Sequence, residues 1–141
     1  MRAILVGWAA TTIPAVMLSV LVASLFPQVP GPTFPLDGWR TLVLLVIAAP
    51  LLETLIMATV LEILLLVLPP RLAVAASSIG WGIAHSLKAA TWGLIIWWPF
   101  LIFSILYVTW RGEGRAKAMA IVFAVHALNN LIPALLLVRS A

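Results

Sequence analysis

The chain has no cysteine, which excludes a disulfide framework, a thiolate metal site and a cysteine nucleophile. Charge is scarce as well. Asp, Glu, Lys and Arg make up 9% of the 141 residues, where a soluble domain carries ~25%. The net charge of +4 is scattered between apolar runs, so it reads as a topology signal and no nucleic-acid partner is expected. There is no internal repeat and no low-complexity tract. What the sequence does contain is apolar surface: 65% of residues are hydrophobic and the mean hydropathy is +1.22. Several runs are long enough to cross a hydrocarbon core, so an integral membrane protein in contact with lipid is expected, and no soluble domain can be carved out.

Five apolar runs follow one another. Ala3 to Phe26 is the first, mildly interrupted by Thr11, Thr12 and Pro14; it is longer than the core of a secretory signal and lacks a clear small-x-small cleavage site, so it reads as an uncleaved anchor. Pro27 to Arg40 holds four prolines and two glycines, the composition of a stiff loop. Thr41 to Leu68 is the second run, with Pro50 placed to kink it, and Pro69-Pro70-Arg71 ends it. Leu72 to about Ala89 is the third; Ser77, Ser78, Gly80 and Gly82 would let neighbouring helices approach closely, which suits an interior position. Thr91 to Trp110 is the fourth, with Trp92, Trp97, Trp98 and Trp110 read as an interfacial belt. After the basic connection 111–117 comes the fifth, Ala118 to Val138. The expected fold is all-α, a polytopic membrane helix bundle of about five transmembrane helices. With five crossings, Arg2, Arg71, Arg111, Arg115 and Lys117 share one side and Arg40, Lys88 and Arg139 the other; five against three favours a cytoplasmic N-terminus.

Within this apolar background a few polar residues stand out by depth. Glu53 lies ~18 Å into its helix, near the middle of a ~30 Å hydrocarbon core, where an ionisable group costs roughly 2.5–3.5 kcal/mol and marks function by default. By the same rise His85 lies ~20 Å along the third run, and His126 and Asn130 lie ~13 and ~19 Å along the fifth. His126 and Asn130 are i,i+4 and share one helix face, as do Trp81 and His85. A carboxylate, two imidazoles and an amide at common depth on three helices make a plausible polar cluster. Asn129 reads as packing or as a neighbour's hydrogen-bond partner. Glu62 points to the face opposite Glu53 and lies toward Arg71, where it is expected to pair or snorkel.

At these residues the chain resembles the CPBP intramembrane proteases, a family that includes the CAAX prenyl endopeptidases and bacteriocin-processing and immunity-type homologues. That family carries Glu-Glu-x-x-x-Arg, an aromatic-x-x-x-His and His-x-x-x-Asn/Asp on successive helices. Ala49-Pro50-Leu51-Leu52-Glu53 resembles the lead-in to the first, Trp81-Gly82-Ile83-Ala84-His85 the second, and His126-Ala127-Leu128-Asn129-Asn130 the third. Tyr107-Val108-Thr109-Trp110-Arg111 resembles the approach to the last helix. The resemblance implies an N-terminal helix and Pro-rich loop over 1–40 and a four-helix core over 41–141. It departs from the family at Thr54 and Ala58, which stand where the family has its second glutamate and its arginine. Those positions are i,i+4, an ion-pair spacing, and losing both together leaves no orphan charge.

The resemblance implies hydrolysis of a peptide bond in a peptide or membrane-protein substrate, in a bacterial or archaeal cell membrane. Glu53 and His85 would activate water, directly or through a metal. His126 and Asn130 would stabilise the oxyanion. Glu53, His85 and His126 are also a candidate ligand set for a divalent metal such as zinc. Two other readings stay open. One is a catalytically degenerate relative that serves as a membrane subunit or scaffold for a partner complex. The other is a haem carrier with His85 and His126 as axial ligands, which gives Glu53 and Asn130 no role.

Overall fold

A computed structural model describes residues 1–34 and 38–140; Pro35 of the proline-rich loop, with Leu36, Asp37 and the terminal Ala141, lies outside the described residues. Every regular element among them is helical. The elements are α1 (Arg2–Leu25), α2 (Gly38–Leu64), α3 (Pro70–Ser86), α4 (Gly93–Trp110) and α5 (Arg115–Ser140). Four of them, α1, α2, α4 and α5, are long and apolar enough to cross a membrane. The described residues thus form an all-α bundle in which four of the five helices have membrane-crossing length.

The third expected crossing is shorter than the apolar run suggested. α3 has 17 residues, about 25 Å at the helical rise. Pro70 starts it, because a missing N–H costs nothing in a first turn, and turns over Leu87–Trp92 lead on to α4. Its small residues do what their size allows. Ala73, Val74, Ser77, Ser78 and Gly82 are buried, and Gly82 lies so close to Gly93 that a Cβ on Gly93 would overlap the Gly82 carbonyl oxygen. Ser104 Oγ of α4 donates to Ser77 Oγ at 3.1 Å in the same buried seam.

The core is built around α4. Phe100, Phe103 and Tyr107 pack with Met57, Ala58 and Leu61 of α2, Ala73 of α3, and Ala118, Val122 and Val125 of α5. Large apolar side chains such as Leu52, Ile63, Ile79, Ile83 and Leu136 point outward, as lipid-facing residues do. α1 crosses α4 and α5 at Gly7, where a Cβ would come within 2.9 Å of Leu106 Cδ1 and 3.1 Å of Val125 Cγ2.

Two prolines make tertiary bonds by what they lack. Pro14 offers no N–H to Ala10 O, four residues earlier, and Trp98 Nε1 of α4 donates to that carbonyl at 2.9 Å. In α2 the backbone widens into a π turn over Leu44–Ala48, with Ala49 N–H bonded back to Leu44 O. The next donor in that register is Pro50, which has none. Leu45 O instead accepts from Asn130 Nδ2 of α5 at 3.0 Å. The expected irregularity at Pro50 therefore takes the form of a widened turn just ahead of it.

Glu62 does not turn to Arg71. α2 ends at Leu64, so Glu62 lies in its last turn, against the end of α4 and the start of α5. Its carboxylate meets Arg115 at 2.8 Å and Arg111 at 3.5 Å and accepts from Tyr107 Oη at 3.0 Å.

Candidate functional site

Glu53, His85, His126 and Asn130 border one cavity of about 400 Å³ between α2, α3, α4 and α5. Each arrives by a different local device. Glu53 lies one turn after Pro50 and is half-buried, with Oε2 3.4 Å from Nε2 of the buried His126. The His126 ring lies against Phe103, centroids 4.5 Å apart, and edge-on to Phe100 at 5.6 Å. Aromatic walls on α4 thus fix the imidazole plane, leaving its Nε2 edge toward the carboxylate.

His85 is held by its own helix. Nδ1 lies 2.9 Å from Trp81 O, one turn back. A carbonyl only accepts, so Nδ1 carries the proton and the neutral ring keeps its Nε2 lone pair for the cavity. The ring also meets Trp92 edge-on at 4.7 Å and packs on Phe100 at 5.6 Å, while Trp81 stacks on Phe100 at 4.2 Å. Phe100 therefore touches both imidazoles, and a planar macrocycle gripped by the two would have to displace it.

Asn130 joins α5 to the widened turn of α2 through Leu45 O. Asn129 joins the same group of bonds: its Nδ2 donates to Asn130 Oδ1 at 3.4 Å, and its Oδ1 accepts from Thr12 Oγ1 of α1 at 3.2 Å. His126 Nδ1 and Thr54 Oγ1 are buried without a hydrogen-bond partner. Thr54 and Ala58, the two departures from the resembled family, both face the packed interior.

Zinc ligands must converge to ~2.0–2.2 Å from one point. Among the described residues no three His, Cys, Asp or Glu side chains form such a group: Glu53 adjoins His126, while the Trp81 carbonyl and the Trp92 ring fix His85. No chemical step is assigned to a metal here.

Several lining residues were not singled out from sequence for this role. Trp92, read as a belt residue, lies on His85. Lys88, one turn beyond His85 and exposed, brings an ammonium group to the cavity wall. Phe34 of the proline-rich loop meets Trp92 edge-on at 5.9 Å. The His85-to-Trp92 spacing is seven residues, two helical turns, but the chain turns between them, so helical periodicity carries no signal for that contact. No family model matches the chain, and no curated protein or solved structure matches it either.

Proposed function

We propose that the protein is an intramembrane endopeptidase of the CPBP type, hydrolysing a peptide bond of a membrane-associated substrate. One juxtaposition supports the reading: Glu53, His85, His126 and Asn130 share a single cavity, and all but His85 stand on helices of membrane-crossing length. Glu53 takes a proton from water as the water oxygen adds to the scissile carbonyl carbon, and His85 Nε2 accepts the water's second hydrogen to orient it. The Nε2–H of His126 and the second amide hydrogen of Asn130 donate to the oxyanion. Collapse breaks the C–N bond, and the departing amine takes the proton from Glu53. The N-terminus lies on the cytoplasmic side of a bacterial or archaeal cell membrane, with α3 counted as a crossing.

A second reading draws on the same helices. The Asn130–Leu45 bond and the Glu53–His126 contact both tie α2 to α5, which is what a catalytically degenerate membrane subunit, kept as a scaffold for a partner complex, would retain.

The test compares new N-termini in membranes carrying wild-type protein and Glu53→Gln, with pull-down of both forms. Loss of a general base should slow product formation by about 10²–10⁴-fold. Identical products from both forms, with one partner retained at equal stoichiometry, would overturn the protease in favour of the scaffold.

A further inference from the structure

An amide free to rotate donates in no fixed direction, so the oxyanion role given to Asn130 needs its side chain held. Both ends of it are. Nδ2 donates to Leu45 O at 3.0 Å and Oδ1 accepts from Asn129 Nδ2 at 3.4 Å. With Nδ2 bonded to α2 and the amide plane fixed, the remaining amide hydrogen has one direction left. Asn129 is held in turn, because its Oδ1 accepts from Thr12 Oγ1 at 3.2 Å. From Thr12 to Asn129 to Asn130 to Leu45 O each donor points the same way, an arrangement in which successive bonds polarise one another. Thr12 borders an adjoining apolar crevice of about 460 Å³, and Asn129 and Asn130 border both spaces. Thr12, outside the cavity, is joined to its wall by the bond to Asn129.

We infer that Asn129 and Thr12 are positioning residues for the Asn130 amide, which makes α1 a working part of the site; this rests on the endopeptidase reading above. Bonds that only fastened helices would contribute stability and leave the rate per folded molecule alone. Bonds that aim an amide set the rate.

The experiment follows the appearance of new N-termini in membranes carrying the full chain, per folded molecule, with the melting midpoint of each variant measured alongside. Thr12→Val, which keeps the side-chain shape without the hydroxyl, and Asn129→Leu should each slow product formation by about tenfold, Thr12→Ser should stay within about twofold of wild type, and the double variant should be no slower than Asn129→Leu alone. Wild-type rates in Thr12→Val, with Glu53→Gln inactive, would overturn the positioning role and leave the protease standing. Wild-type products from Glu53→Gln would remove the protease and this inference with it. Should Asn129→Leu fail to fold, Thr12→Val against Thr12→Ser still decides.

Discussion

Replacing Gly93 with alanine should part α3 from α4 and disturb the cavity. The added Cβ would overlap the Gly82 carbonyl oxygen and Ser86 Oγ. A carbonyl cannot swing aside as a side-chain tip can, so the helices must separate. Overpacking costs about 1–3 kcal/mol, and a backbone obstacle belongs at the upper end, about 3 kcal/mol. Alanine's propensity advantage of about 1 kcal/mol applies to helix interiors and is small at the first residue of α4. Gly82→Ala meets Trp97 Cβ at 3.1 Å and Gly93 O at 3.3 Å, both carried rigidly by the α4 backbone. An overpacking cost of about 2 kcal/mol, less the roughly 1 kcal/mol propensity gain inside α3, leaves a loss of about 1 kcal/mol. Gly80 has nothing within 4 Å of its added Cβ, so Gly80→Ala should equal or exceed wild type. Unfolding in dodecyl maltoside, followed by tryptophan fluorescence, reads the series at about 3 °C per kcal/mol. Trp92 precedes Gly93 and lies on His85, so Gly93→Ala should slow product formation too. Equal midpoints for the three variants would refute the backbone contact.

Three further outcomes are expected in the same unfolding assay. Trp98→Phe should cost about 1–3 kcal/mol by leaving Ala10 O without its donor; adding Pro14→Ala, which restores an N–H to α1, should recover part of that loss, and strict additivity in the double-mutant cycle would count against the pairing. Thr54→Val deletes a buried hydroxyl without a partner and should raise stability by up to about 1 kcal/mol; a clear loss would mean the hydroxyl is bonded. Arg115, 70% exposed, should cost under about 1 kcal/mol on replacement by alanine. Glu62→Leu takes the acceptor from Tyr107 and both arginines at once and should cost about 2 kcal/mol; equal losses from the two changes would argue that Tyr107 and Arg111 contribute nothing.

The helices were legible because their signal is local. Apolar length marks α1, α2, α4 and α5, and the prolines at Pro69 and Pro70 mark the break between α2 and α3. The run from Leu72 to Ala89 was overextended because apolar character continues through Leu87 and Ala89, where the backbone is already turning. The depth reckoning brought Glu53, His85, His126 and Asn130 to one level, and in the structure they border one cavity. Partner choice was less legible. Glu62 meets Arg115, 53 positions away, whereas proximity in sequence pointed to Arg71. The tryptophans of α4 looked alike by composition, yet Trp98 seeks a carbonyl exposed by a proline 84 positions earlier, and nothing in a local window links the two. Asn129, read as packing or a neighbour's hydrogen-bond partner, does bond Asn130, but its link to Thr12 was not legible, because Thr12 is an ordinary helix residue until the other helix is in place.

The carbonyls that Pro14 and Pro50 leave open have a consequence for biogenesis. Both acceptors, Ala10 O and Leu45 O, emerge from the ribosome well before their donors, Trp98 and Asn130, which follow 88 and 85 residues later. During that interval each carbonyl lacks its partner, and a bare carbonyl in hydrocarbon is costly. The arrival is also self-checking, since α4 or α5 set down one residue out of place leaves its carbonyl empty. Two missing hydrogens thereby set the register of α4 on α1 and of α5 on α2.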